Sequence, residues 1–259
     1  MWERVPLKIF VLALVGLCVL VTAGGAAETA ELKVRFEYGS VAPDQEKIVP
    51  NQDAAFCGKH DLRKENLVVD PETKGIKNVV LYVYTGRGGT KLPKMPSVNA
   101  THRLDNKDCR FEPHILITQV GDTLEIGNPD PVAHNANLNF FNNTSQNLTI
   151  PPKQSVTVEL EKDEPAPIPV ECNIHPWMKG YVVVLEHPYA GVSEADGTLV
   201  IKGLPAGEDL TFRVYHEALK IKEVEEMETG KTKKFKRARI ELELEPGMND
   251  LGTWVVPAA

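Results

Sequence analysis

Residues 171–180 read ECNIHPWMKG and place a thiol, an imidazole and a thioether at Cys172, His175 and Met178. These donors together suit copper. Two imidazoles and one thiolate in a trigonal set, with a weak axial thioether, form an electron-transfer site for that metal. A second imidazole is still needed. His134, in NPDPVAHNANLNF, offers one from a polar loop at the start of an expected strand. Loops carried on a rigid scaffold can bring such distant residues together.

The cysteines bear on this set. The chain has four, and Cys18 lies in an apolar N-terminal run, leaving Cys57, Cys109 and Cys172. Cys57 and Cys109 can pair and leave Cys172 as the free thiolate that a copper site requires. The alternative is that Cys172 pairs with one of them and no metal binds. A free thiol without a ligand is exposed to oxidation in an oxidising compartment.

The N-terminus carries Arg4 and Lys8, then an apolar run from Ile9 to about Ala23, then AGGAAETAE. That order is the build of a secretory signal peptide, expected over residues 1–26 with cleavage after Ala26 or Ala27. The run is short for a membrane span, and Leu17 before Cys18 is bulky for a lipid-attachment site. An uncleaved anchor is the other reading. The mature protein is then expected outside the cytoplasm, periplasmic, secreted or at the cell surface, with no membrane span. The chain has 259 residues and a net charge of −7. Removing 1–26 takes away Glu3, Arg4 and Lys8, a net +1, and leaves −8. A mildly acidic surface argues against nucleic acid as partner.

The elements that must position these residues read as strands. ELKVRFEY (31–38) alternates apolar and polar side chains, as a strand with one covered face does. NVVLYVYT (78–85) is continuous and apolar, as a strand covered on both faces is. HILITQVGDTLEIGN (114–128) gives two strands around Gly121-Asp122. HNANLNFF (134–141), SVTVELE (155–161) and GYVVVLEH (180–187) complete a sandwich pattern. Residues 86–108 read as loop. Near Tyr189 a second unit begins, with strands in GTLVIKGLPAGEDLTFRVYHEAL and ARIELELEPGMNDLGTWVV. Between them lies a charged stretch. Its basic run (Lys231, Lys233, Lys234, Lys236, Arg237, Arg239) is either a patch for an acidic partner or, with Glu223, Glu225, Glu226 and Glu228 nearby, simply a solvated hairpin.

CNIHPWMKGYVVVLE together with NPDPVAHN resembles the copper loops of the cupredoxins, the type 1 blue copper proteins. The compact Cys-x-x-His-x-x-Met spacing is most like the amicyanin and plastocyanin branch, including Pro176 after the histidine. The resemblance is clear from about 112 to 187 and motif-level from 31 to 111. It implies an all-β, Greek-key sandwich over 31–188, followed by a smaller β-sandwich unit over 189–259. That last part is more weakly similar to a carboxypeptidase-regulatory or prealbumin-like sandwich. It implies one type 1 copper bound by His134, Cys172, His175 and axial Met178. Asn135 would stand behind them, its N–H near the Cys172 sulfur. The His175 edge would face solvent as the electron exit, and Trp177 would be either part of an apolar docking patch or a buried loop anchor.

The implied function is single-electron transfer between redox proteins, a dehydrogenase-like donor and a cytochrome-like acceptor, with no catalytic residues of its own. A non-redox binding module and a copper carrier are the rivals. His114 and His187 read as structural, and His60, His102 and His216 have no ligand-like spacing. Asn99, Asn142, Asn143 and Asn147 begin glycosylation patterns.

Overall fold

A computed structural model describes residue 2 and residues 28–258. The leader expected at 1–26 lies, Trp2 apart, outside the described residues. Among them, no helix is long and apolar enough to cross a membrane.

In chain order the elements begin with β1 (Thr29–Tyr38), the helical turn α1 (Ala54–Cys57), β2 (Val80–Val83), β3 (Thr101–Lys107) and β4 (Arg110–Glu112). Then follow β5 (Ile115–Gln119), β6 (Thr123–Gly127), β7 (His134–Leu138), β8 (Gln146–Ile150) and β9 (Ser155–Glu159). Next are β10 (Ile168–Glu171), β11 (Lys179–Leu185), β12 (Ala190–Val192), β13 (Thr198–Pro205) and β14 (Asp209–Tyr215). The last are β15 (Glu223–Glu226), β16 (Thr232–Lys234), β17 (Arg239–Glu243) and β18 (Gly247–Val256). The chain is all-β, as its alternating patterns predict.

Four sheets form, in the orders β13-β1-β18-β15-β16, β12-β2-β14-β17, β5-β11-β10-β7-β8 and β4-β3-β6-β9. Three apolar layers lie between them. The first two sheets enclose Leu32, Val34, Phe36, Leu81, Phe212 and Trp254. The last two enclose Leu104, Leu124, Ile126, Leu138, Val170 and Val184. The middle layer, with Val80, Tyr82, Tyr181, Val183 and Leu185, joins the two sandwiches. This explains the two continuous apolar runs. β2 sends Leu81 and Val83 into one layer and Val80 and Tyr82 into the next. β11 divides Val182 and Val184 from Tyr181, Val183 and Leu185 in the same way. A period of two with both faces covered leaves no polar position.

Three expectations need correction. β1 and β2, assigned by sequence to the copper unit 31–188, belong to the other sandwich: β1 lies between β13 and β18, and β2 between β12 and β14. Alternation tells which face of β1 is covered, and Leu32, Val34 and Phe36 are indeed 0% exposed, but it does not name the partner strand. Nor is the second sandwich smaller, since each consists of one five-stranded and one four-stranded sheet. Finally, the loop expected over 86–108 ends in β3, which pairs in parallel with β6. Its sequence, THRLDNK, hides the strand because its buried face carries Asn106 as well as Leu104. Asn106 Nδ2 donates to Gly127 O at 2.9 Å, which satisfies the polar group in place.

The charged stretch 220–237 forms the hairpin of β15 and β16.

Candidate metal centre

Three segments meet at one end of the sandwich formed by the β5-β11-β10-β7-β8 and β4-β3-β6-β9 sheets. The first, 128–134, links β6 to β7. Asn128 is buried and fastens this loop: its Nδ2 donates to Val132 O at 2.9 Å and Ile150 O at 2.8 Å, and its Oδ1 accepts from Asp130 N at 3.0 Å. The second, 172–178, links β10 to β11 and is tied at its base by Cys172 N to Met178 O, 3.2 Å, and Met178 N to His175 O, 2.9 Å. The third is the turn 53–57. It is anchored by the disulfide Cys57–Cys109, which realises the pairing that leaves Cys172 free.

His134, Cys172 and His175 come together there. One donor atom from each lies within 4.8 Å of the others. The side chains are enclosed, with relative exposures of 0%, 2% and 0%, and Met178 in the same loop is 1% exposed. His134 Nδ1 and His175 Nδ1 stand 2.9 Å apart, and Cys172 Sγ is 3.7 Å from His175 Nδ1.

The other nitrogen of each ring decides the chemistry. His134 Nε2 donates to Asp130 Oδ2, and His175 Nε2 to Asp53 Oδ2, each at 3.0 Å. A carboxylate accepts only, so both Nε2 atoms carry hydrogen and both neutral rings turn an Nδ1 lone pair inward. Two lone pairs and a thiolate facing one point repel unless a positive centre sits between them, a proton or a metal ion. Carboxylates that orient ligand imidazoles in this way also raise their basicity. The donor set, two imidazoles and a thiolate, fits copper. Cys109, Asp130 and His134 also cluster, but the Cys109 sulfur is in the disulfide and has no thiolate to give.

Asn135 braces the centre. Its N–H points at Cys172 Sγ at 3.5 Å, Oδ1 accepts from Asn173 N at 2.7 Å and Ile174 N at 3.3 Å, and Nδ2 donates to Asn147 Oδ1 at 2.7 Å. One side chain thus holds both ligand loops in register. Asn147, marked in the sequence as a glycosylation pattern, is its partner.

The electrostatics follow. Burial alone would push the Cys172 thiol up, but in the metal-free centre a proton held on the inward Nδ1 atoms of His134 and His175, with the Asn135 N–H, favours the thiolate and brings it to about 6. Burial would lower His134, yet Asp130 and Cys172 hold it above the usual imidazole range. Asp130 resists its own burial because His134 and the N–H groups of Cys109 and Asp108 bond it, and it lies below the usual carboxylate range.

The thiol has a testable consequence. An unfolded thiol ionises at about 8.5, so folding of the metal-free chain favours the thiolate. This contribution is complete above that value and fades as pH falls toward about 6. His134 acts with the opposite sign: its contribution is present at low pH and is lost as pH rises through its folded pKa. The thiolate absorbance of metal-free protein should therefore rise with a midpoint near 6. In urea the midpoint should move to about 8.5. A native midpoint at the unfolded value would contradict the hydrogen-bonded thiolate.

One site expectation is overturned. His175 has no solvent-facing edge, being 0% exposed. Asp53 caps its Nε2, and the Trp177 ring stands edge-on at 5.1 Å. Trp177 is half-buried: its Nε1 donates to Cys109 O at 3.2 Å, which ties the loop down, and part of the ring stays at the surface. Pro176, beside it, is exposed. Sequence reasoning missed Asp53 altogether. It sits in the left-handed region at φ 45°, and no local pattern ties it to a histidine 122 positions away. Asp130 had a signal, a carboxylate four residues before His134 in a proline-flanked loop. Away from the centre, His114 Nε2 meets Glu217 Oε1 at 2.6 Å across the sandwich boundary, and His187 is buried with Nδ1 accepting from Tyr189 N.

No protein-family model matches the chain, and no curated protein matches it. Among solved structures it is similar to the copper-containing nitrite reductase of Thermus scotoductus SA-01, with 21% identity over 39% of this chain and a TM-score of 0.29. That match spans 24% of the nitrite reductase chain. It is similar also to a reduced amicyanin variant, with 24% identity over 32% of this chain and 79% of that one, TM-score 0.28. A third similar structure is a purple cupredoxin from Nitrosopumilus maritimus, with 20% identity over 32% of this chain and 97% of that one, TM-score 0.27.

Proposed function

We propose that this chain holds one type 1 copper ion and passes single electrons between redox proteins outside the cytoplasm. The observation that carries this reading is the convergence of two Nδ1 lone pairs and one low-pKa thiolate in a sealed pocket. His134, Cys172 and His175 would be the ligands, with Met178 from the same loop as the axial donor. Copper held there would supply exchange of one electron between its cupric and cuprous states.

The residues of the chain do the rest. Asp130 and Asp53 keep both imidazoles in the tautomer that faces inward. Asn135 holds the two loops at fixed separation, so the donors need little rearrangement when charge changes. Burial of all three donors excludes water and leaves a substrate no approach, which favours a carrier over a catalyst. A redox partner would dock over Pro176, Trp177 and Asp53, whose side chain is 42% exposed. Such contacts are small and transient. The N-terminal leader pattern supports export.

Copper carriage or storage is the second reading, favoured by the burial of both imidazoles, His175 capped by Asp53 and His134 by Asp130. Redox cycling separates the two. Copper-loaded protein should be reduced by ascorbate and reoxidised by ferricyanide repeatedly, keeping its metal in the presence of a Cu(I) chelator. Loss of copper to the chelator on the first reduction would favour carriage.

A further inference from the structure

A second feature lies in the other sandwich. A cleft of about 960 Å³ is lined by Arg87, Lys234, Lys236, Arg237 and Arg239, with Tyr84 and Glu241 among the remaining lining residues. Five cations gather there on a chain whose net charge is −7. Among the described residues, none of the five makes an ion pair with a carboxylate. Lys233, in the same run, is paired with Glu226 and is not part of the lining.

The cleft is built at a cost to the fold. Arg213 and Arg239 stand directly opposite on β14 and β17, where like charges repel. Both lie over the Tyr84 ring, at 5.7 and 4.4 Å, which holds them in place. Arg239 also donates to Arg87 O at 3.1 Å. Lys236 and Arg239 close a two-residue turn by backbone bonds in both directions. Its central residues, Arg237 and Ala238, are both left-handed, at φ 57° and 60°. Such turns strongly prefer Asn and Gly, and strain of this kind collects at functional positions.

We propose that this cleft binds an extended acidic segment of a partner protein. Lys234 lies on β16 and Arg239 to Glu241 on β17, and each of these strands is the outermost of its sheet. They therefore offer unpaired backbone groups as well as charge, which an extended peptide can use and a compact anion cannot. The Tyr84 face is taken by Arg239, so no nucleobase can stack on it. Glu241 stands among the cations and works against a dense polyphosphate.

The test uses the full chain and a fluorescent octapeptide alternating glutamate and threonine, with anisotropy as the readout. The peptide should bind at low salt and release as salt rises. An Arg87→Gln/Lys236→Gln/Arg237→Gln variant should lose about tenfold or more in affinity. Arg237→Gly removes one charge and relieves the turn, so it should melt higher while binding more weakly, which separates a binding loss from a folding loss. No peptide binding overturns the proposal. So does binding of inorganic tripolyphosphate or of phosphatidylglycerol vesicles in preference to the peptide. The outcome is independent of copper at His134 and Cys172.

Discussion

A Cys57→Ala/Cys109→Ala variant unfolds more readily than the parent by about 4 kcal/mol, the chain-entropy value for a closed loop of 52 residues. Both cysteines are 0% exposed, so the change removes contacts inside the sandwich as well as a crosslink. The centre should feel it. Cys57 ends the turn that Asp53 begins, and Cys109 supplies the carbonyl that holds Trp177. Its N–H also bonds Asp130, which orients His134. Without the crosslink the Asp53 turn is held by its own short-range bonds and the packing of Phe56 on the core, and the cap on His175 loosens. Denaturant unfolding should show the stability loss, and copper should pass to a chelator faster than from the parent. Unchanged stability and unchanged exchange would mean that the turn is held by other contacts and the staple is incidental.

Replacing Asn135 by alanine should lower copper affinity about 10–100-fold, the range for residues that brace metal ligands. It should also destabilise the metal-free protein by about 2 kcal/mol, because the N–H groups of Asn173 and Ile174 lose their acceptor. The backbone N–H toward Cys172 Sγ survives the substitution, so the loss falls on loop spacing and leaves the thiolate with a donor. Asn135→Asp keeps the acceptor but sets a second negative charge beside the thiolate. It should retain more stability than alanine while binding copper no better. Competition against a copper chelator and thermal melts separate the two effects. Parent-like copper affinity in Asn135→Ala would show that the loops are registered without it.

Much of the centre was legible in the sequence because its parts are local. Cys172, His175 and Met178 share one short loop, and His134 opens a strand whose pattern is plain. The disulfide followed once Cys172 was needed elsewhere. What the sequence did not carry is long-range. Asp53 reaches His175 from a turn with no strand or helix pattern of its own, so the cap over the supposed electron exit could not be foreseen. Strand partners were equally hidden. ELKVRFEY announces a strand with one buried face, and nothing in it says that β13 and β18 will flank it. The continuous apolar runs of β2 and β11 did announce coverage on both faces, and the middle layer between the sandwiches is its cause.

The most direct test of the copper reading is a visible absorption and electron spin resonance spectrum of the protein after addition of one equivalent of Cu(II), recorded beside Cys172→Ser. The account predicts an intense blue or green thiolate-to-copper band, with the matching resonance, in the parent and its disappearance in the variant. A colourless parent, or a band that survives removal of Cys172, would contradict it.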